Sequence, residues 1–403
     1  MSKILPLTLI LFLALPGVVA ACGGFFPAEK DILQSGQSVI FTVDRSSQTM
    51  AVYMALSYSG DAKDFAWVVP VPSEPKLELS SAELFQELER TTKPQYEFPG
   101  REACFDPSDL LWAVFKGQLG AGGSAPEGAR TGVDLRQQGS LGPYDYSVIA
   151  GDDATALVSW LRENGYRVVP EAEPLIKTYT DEHMLFVAMK LRSDQESSAI
   201  RPVKLSFQGD TPMLPLRFSA VAAEPQTQVH IWVFDQTQVA PEGIDRMLIP
   251  DDAIVLKSYG QNNYNDALHA AIQTVQGRGF VAEYAQPTSA LQGQTDNADL
   301  RAVLQHYPFV TRLSTSLSPE QMSFDPVFIP SPDLPAVSNK HVLSERISPY
   351  ACNGELLQAE EQIVRKGSPQ AFWIQHRWRL PWIALFGLII ISIVALFRKS
   401  WSA

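Results

Sequence analysis

The feature that most constrains this chain is an uncharged apolar segment near its C-terminus. Residues 380–397 carry no charged side chain, and Ser392 is their one polar residue. As an α-helix this segment would rise about 27 Å, close to the ~30 Å hydrocarbon core of a bilayer. Trp382 and Trp401 lie at its two edges, as interfacial anchors do, and Arg398 follows it directly. The sequence therefore predicts a single transmembrane helix at 380–397, with a buried core helix as the alternative.

The N-terminus has the features of a secretory signal peptide at residues 1–21. Lys3 supplies a positive charge, residues 4–15 are mainly apolar, and Pro16 and Gly17 precede small residues suited to cleavage. A cleaved signal places residues 22–379 outside the membrane and leaves residues 398–403 as a cytoplasmic tail. That tail is too short for a domain, so we expect a single-pass protein of the cell membrane whose activity is extracytoplasmic.

The amino-acid composition and net charge limit the kinds of partner that we expect the protein to bind. Hydrophobic residues make up 45% of the chain and charged residues 19%, which is typical of a globular protein. The net charge is −12 and basic clusters are absent from the sequence, which argues against nucleic acid and anionic lipid surfaces as partners. The membrane, through the C-terminal helix, and another envelope protein are the partners that we expect.

The three cysteines leave their pairing open. An extracytoplasmic location permits oxidation, but an odd number leaves one cysteine over. Cys22 follows small residues, so it is a candidate for lipidation, which would leave Cys104 and Cys352 to form a disulfide. Bridges from Cys22 to Cys104 or to Cys352 are the alternatives.

The pattern of the extracytoplasmic part predicts an α+β fold. Residues 22–245 alternate short β-forming runs with turns and form a β-rich ectodomain with inserted helices, while residues 250–318 read as a smaller α/β region. Prolines recur through residues 319–335, so residues 319–379 are predicted to form a stalk or a surface strap that ends in a short juxtamembrane helix. Four helices are predicted from apolar stripes: one capped at Ser80, one capped at Asp153, one closed by Gly277 and one capped just before Leu300.

One predicted strand has the most distinctive surface candidate. Trp67 lies on it, and Pro70 and Pro72 lack the N–H groups that a neighbouring strand would use. This strand is therefore expected at a sheet edge. An edge that carries an aromatic side chain can receive a partner chain, whereas the alternative is a core tryptophan with prolines that block pairing.

Six separated blocks of the sequence are distinctive: residues 21–26, 60–72, 163–166, 220–225, 317–322 and 325–328. Together they resemble one bacterial extracytoplasmic family of unknown function, DUF2330. The resemblance covers most of the predicted ectodomain and implies a bacterial origin and an address outside the cytoplasm, but no reaction. Members of the family often carry a second cysteine just after the Cys22 block, where this chain has Pro27, so a local disulfide is not available here.

Motifs for metal, nucleotide or nucleophile chemistry are absent from the sequence. The densest polar cluster before a strand is Asp181, Glu182 and His183, which is either half of a metal site or a turn. Residues 296–299 contain acidic and amide side chains as calcium loops do, but the glycine and the distal glutamate of such a loop are missing. Capping of the following helix explains them better. We therefore predict no cofactor and no catalytic residue.

Glu283 and Tyr284, near Arg278, could form a small acid–base set. The leading hypothesis is nevertheless a non-enzymatic envelope module that binds a partner or ligand. The alternative is an extracytoplasmic hydrolase whose site brings together dispersed residues such as Asp181, His183, Glu283 and Tyr284.

Overall fold

The computed structural model describes residues 33–59, 66–97, 133–151, 153–192, 195, 200–255 and 262–343. They form strands β1 (Leu33–Asp44), β2 (Thr49–Ser59), β3 (Ala66–Val71), β4 (Lys76–Leu79), β5 (Gln95–Glu97), β6 (Asp134–Leu141), β7 (Tyr144–Ala150), β8 (Leu185–Leu191), β9 (Val203–Gln208), β10 (Ala223–Asp235), β11 (Val239–Pro241), β12 (Asp245–Met247), β13 (Gly279–Pro287), β14 (Phe309–Leu317), β15 (Phe328–Pro330) and β16 (Lys340–Val342). The α-helices are α1 (Ala82–Thr92), α2 (Ala154–Glu163), α3 (Glu173–Asp181), α4 (Leu216–Ser219), α5 (Tyr264–Thr274) and α6 (Ala298–His306).

A mixed eight-stranded sheet is the largest element of the fold. Its strand order is β12-β13-β14-β10-β1-β2-β9-β4, with β1 parallel to β10 and antiparallel to β2. Val39 of β1 lies opposite Ile231 on one side and Met54 on the other. The apolar run from Val39 to Phe41 is buried on both faces, as a central strand requires.

A four-stranded antiparallel sheet, in the order β3-β8-β7-β6, carries helices on one face. Leu157 and Leu161 of α2, Ile176 of α3 and Phe218 of α4 pack with Phe186 of β8 in one core cluster. The predicted cap of α2 is confirmed, because the Asp153 carboxylate accepts a hydrogen bond from the Thr155 N–H at 2.9 Å. Helix α3 was not predicted.

A second core lies between the large sheet and helices α1 and α6. Leu84 and Leu88 of α1 and Leu304 of α6 pack against Ile40 and Trp232 of the sheet. The predicted cap of α1 was wrong by one residue. Ser81, not Ser80, accepts the hydrogen bond from the Leu84 N–H, and the helix begins at Ala82.

The structure confirms the β-rich architecture with inserted helices but does not separate residues 250–318 from the preceding strands. β13 and β14 continue the large sheet beside β10, so the predicted boundary near residue 250 runs through one sheet. The chain divides differently, into two compact units. The first includes residues 33–95, 133–249 and 265–341 among those described and holds both large sheets; the second includes residues 96–97, 250–255, 262–264 and 342–343.

The proline-rich segment forms a strap, not a stalk, as far as residue 341. β15 pairs with β11, and Val337 bridges to Ala285. Met322 and Phe328 of this segment are buried, at 2% and 1% exposure. Short β-pairing and buried anchors therefore hold this segment along the first unit.

Some predictions fall outside the described residues. These are the signal peptide at 1–21, Cys22, Cys104, Cys352, the juxtamembrane helix, the membrane span at 380–397 and the tail at 398–403. Among the helices that the structure describes, none is long and apolar enough to cross a bilayer.

Candidate binding groove

An open groove crosses one face of the large sheet, where four strands lie side by side. Thr42 of β1 lies opposite Ala51 of β2, which lies opposite Ser206 of β9, and Ser206 in turn lies opposite Lys76 of β4. Paired residues in neighbouring strands direct their side chains to the same face, so these four form one row. Thr42, Ala51 and Ser206 are small, and they form the floor of a cavity of about 420 Å³.

Two tyrosines border the floor. Tyr53 lies two residues beyond Ala51 on β2, and Tyr307 follows α6; both line the groove. Both also pack against the core beneath α1 and α6, and the Tyr307 ring lies 6.4 Å from that of Phe234. Each ring is half-buried, so one part is fixed by the core while another borders the groove.

Lys204 of β9 lies beside Tyr53. Its ammonium is 5.5 Å from the centre of the Tyr53 ring and 3.2 Å from the Glu78 carboxylate. Burial raises the pKa of Tyr53, against the opposing charge of Lys204. Burial alone would lower the pKa of Lys204, but Tyr53 and Glu78 outweigh it and raise that pKa. At neutral pH the groove therefore presents a protonated phenol and a charged ammonium.

The remaining charges of the groove are also engaged. Glu78, just beyond the floor on β4, accepts a hydrogen bond from Lys76 at 2.8 Å, and this bond with that of Lys204 lowers the pKa of Glu78. Glu74 on the rim accepts a hydrogen bond from Gln137 at 2.6 Å. The ammonium groups of Lys76 and Lys204 and the carboxylates of Glu74 and Glu78 thus lie in or beside the groove, and their formal charges cancel.

The structure places the tryptophan–proline candidates at a sheet edge, but mostly inside the protein. β3 is an edge strand of the four-stranded sheet, as its prolines predicted. Trp67 is only 6% exposed and Pro70 is buried, whereas Pro72 is exposed just beyond the strand. In this arrangement Trp67 and Pro70 have packing roles.

The polar cluster at the end of α3 forms ion pairs. Asp181 accepts from Lys177 at 2.6 Å, and Glu182 accepts from Arg217 at 3.1 Å. His183 is exposed and has a left-handed backbone, with φ 57°, as a residue does in a turn after a helix. Within the described ranges, no group of three or more His, Cys, Asp or Glu side chains is placed to hold a metal ion.

Glu283 is paired with Arg312 of β14, not with Arg278, whose guanidinium lies over the Phe324 ring at 4.8 Å. Arg312 also donates to Thr92 at 3.2 Å and lies 2.8 Å from Glu89. The Arg312 side chain is 2% exposed and that of Glu283 is fully buried. Each nitrogen of this guanidinium therefore meets an acceptor of the protein, and the cluster joins α1 to the sheet.

The residues of the predicted hydrolase site lie in different layers. Glu283 and Tyr284 are on β13 of the large sheet, with Tyr284 in the core beneath α1 and α6. Asp181 and His183 are at the end of α3, beside the four-stranded sheet. The groove residues were not predicted from the sequence. Small or polar residues alternate with apolar ones along β2 and β9, which is a signal for an open sheet face. The register that aligns these strands depends on long-range pairing, which the local pattern does not predict.

Comparison with known proteins gives a family but no activity. A family model described as an uncharacterized protein conserved in bacteria, DUF2330, matches residues 16–328. The comparison with curated proteins yields no match.

Solved structures of baculovirus P35 show a weak similarity. Intact P35 has 12% identity and a TM-score of 0.32, over 53% of this chain and 67% of that one. A mutated P35 after caspase cleavage has 10% identity and a TM-score of 0.27, over 50% and 66%. The caspase-8/P35 complex has 10% identity and a TM-score of 0.27, over 51% and 64%. The chain thus spans about two thirds of the length of the P35 chains that it matches.

Proposed function

The protein belongs to the DUF2330 family of uncharacterized bacterial proteins, and we propose that it is a membrane-anchored extracytoplasmic module that binds a ligand or partner in the groove of its large sheet. The predicted signal peptide and the apolar C-terminal segment of the sequence support this address. The observation that carries the proposal is the row Thr42, Ala51, Ser206 and Lys76, whose small members leave an open groove beside two half-buried tyrosines.

The ionisable groups of the groove favour binding over catalysis. A general acid or base works best with a pKa near the pH of the reaction. Here the pKa values of Tyr53 and Lys204 are raised and that of Glu78 is lowered, so all three move away from neutrality. The alternative hydrolase would draw on residues that lie in different layers of the molecule.

Site-specific photo-crosslinking in living cells tests the binding function. Lys76 on the groove rim and Lys177 on α3 are replaced, one at a time, by a photo-crosslinking amino acid in the full chain. Their side chains are 73% and 65% exposed, so the pair is matched for exposure. We expect a discrete adduct from position 76 and none from position 177.

A second pair of variants shows whether the adduct depends on the groove. Gln208→Trp fills the rim, whereas Gln226→Trp places the same side chain on β10 at a site that is also solvent-exposed. The position-76 adduct should disappear with the first variant and persist with the second. Identical crosslinking at positions 76 and 177, or none at position 76, would refute the proposal.

A further inference from the structure

The groove is rich in groups that both donate and accept hydrogen bonds. Thr49 and Ser206 contribute partly exposed hydroxyls, and Tyr53 and Tyr307 contribute phenols. A hydroxyl can act as a donor or an acceptor, unlike an ammonium or a carboxylate. The natural complement of such a surface is a ligand that carries many hydroxyls of its own.

The two tyrosine rings add a second recognition element. Tyrosine offers a flat apolar face together with a polar tip, and it loses little conformational entropy on binding. Tyr53 and Tyr307 are already held by the core beneath α1 and α6. A sugar ring matches this arrangement, because its C–H face is apolar while its hydroxyls point outward.

Charge argues for a neutral ligand. Lys76 and Lys204 share the Glu78 carboxylate, and Glu74 balances the remaining formal charge. An anionic chain would meet the Glu74 and Glu78 carboxylates as well as the two ammonium groups, and it would approach a protein of net charge −12. A basic peptide would find Glu78 already bound by two ammonium groups.

The shape of the groove fits a chain of rings. The row from Thr42 to Lys76 crosses four strands. Because neighbouring strands are about 4.8 Å apart, the row spans roughly 14 Å. The volume of about 420 Å³ falls within the range of small-molecule sites.

We propose that the groove binds an uncharged saccharide chain of the cell envelope. This inference rests on the proposed binding function of the same groove. The hydroxyls of the floor and rim bind the hydroxyls of the sugar, Tyr53 and Tyr307 stack on sugar rings, and the paired charges exclude uronic acid polymers.

The test uses the full chain in a detergent without a sugar headgroup. Tetra-N-acetylchitotetraose and maltotetraose are the neutral probes, and tetragalacturonate is the anionic control. Each is titrated by calorimetry, and saturation-transfer NMR reports which protons contact the protein. We expect at least one neutral tetrasaccharide to bind, with tetragalacturonate at least tenfold weaker.

Variants assign the binding to the groove. Tyr53→Ala should weaken the neutral probe by up to about tenfold because a stacking ring is lost, and Tyr53→Phe should weaken it less. Gln208→Trp, on the exposed rim, should abolish binding without affecting the fold, and Gln226→Trp should leave binding unchanged. Thermal unfolding of each variant checks that the fold is intact.

The outcomes separate the two proposals. If the position-76 adduct forms but is a protein, and neither neutral tetrasaccharide binds, the binding function stands and the saccharide inference is wrong. Equal or tighter binding of tetragalacturonate also overturns the inference. If neither probe binds and position 76 gives no adduct, both proposals are wrong.

Discussion

Thr92 is a single residue on which the packing of α1 against the sheet depends. Its hydroxyl accepts hydrogen bonds from the Trp232 indole at 2.9 Å and from Arg312 at 3.2 Å, and donates to the Leu88 carbonyl. All of these groups are buried. No sequence pattern announces this role, because the partners come from strands far along the chain.

Thr92→Val should therefore lower the free energy of unfolding by about 2–4 kcal/mol, since two buried donors lose their acceptor. Thr91→Val is the matched control, because the Thr91 hydroxyl donates only to carbonyls of its own helix, those of Glu87 and Leu88; we expect it to cost about 1 kcal/mol. Chemical denaturation of the full chain in detergent measures both. Equal losses would mean that Thr92 does not bridge helix and sheet.

His230 gives the protein a predictable pH dependence. Burial lowers its pKa, with Glu283 opposing, Arg312 reinforcing and Glu89 opposing this shift. A histidine whose pKa in the folded state lies below about 6.5 binds protons more readily in the unfolded chain, so the free energy of unfolding falls as pH drops through that value.

We expect the wild-type protein to lose stability between roughly pH 7.5 and pH 5.5, and His230→Gln to lose less. The glutamine retains a group that can bond to Ser314, which now lies 2.8 Å from the histidine ring. His306→Gln, at an exposed position, is the control and should follow the wild type. Parallel curves for wild type and His230→Gln would contradict the prediction.

At the scale of elements, the sequence correctly predicted features that depend only on neighbouring residues. The cap of α2 at Asp153 and the helix after residue 296 were both predicted, because a cap and an apolar stripe depend on neighbouring residues. β14 was missed although it lies between β10 and β13. Both faces of β14 are buried, and one of them carries Arg312, Ser314 and Ser316. Such polar residues interrupt the hydrophobic pattern by which a central strand is predicted.

The residues before α6 allow capping and calcium binding to be distinguished. The Asn297 side chain accepts from the Leu300 N–H at 2.9 Å. Asn297→Ala should cost about 1 kcal/mol, as the loss of an N-cap does, whereas Asp296→Ala should cost less than half of that. Thermal unfolding with and without calcium completes the test. A calcium-dependent rise in melting temperature that Asp296→Ala removes would favour the calcium loop instead.

At the scale of the whole molecule, Asp325 fixes the strap to the first unit. Its carboxylate, 7% exposed, accepts from the Tyr179 hydroxyl at 2.8 Å and from the Arg217 backbone N–H and guanidinium at 2.8 and 2.7 Å. The prolines predicted an extended segment, but whether it stood away from the domain or lay on it depended on such anchors.

Asp325→Asn should lower the free energy of unfolding by about 2–3 kcal/mol, because a buried charge-assisted network loses its charge. Cleavage by a protease within residues 331–336 should become faster. Glu182→Gln, which weakens an exposed bond to the same Arg217, should cost less than about 1 kcal/mol. Unchanged proteolysis in Asp325→Asn would show that the β15 pairing alone holds the strap.

The candidate groove also depends on contacts between residues that are distant in the sequence. Each of Thr42, Ala51 and Ser206 is unremarkable in its own strand, and only the alignment of β1, β2 and β9 places them together. The sequence predicted the strands and their turns, but it contained no local signal for which strands would be neighbours.

The position of β1 early in the chain also determines when its pairing with β10 can form during synthesis. Gln34 on β1 is bonded to Thr227 next to it on β10, 193 residues later in the chain. At about 5–20 residues per second, a ribosome needs roughly 10–40 s to supply that partner. During this interval an apolar strand with an unpaired edge is open to wrong partners. For the extracytoplasmic address that we propose, this delay is an advantage, because a sheet that closes late leaves the chain unfolded while it crosses the membrane.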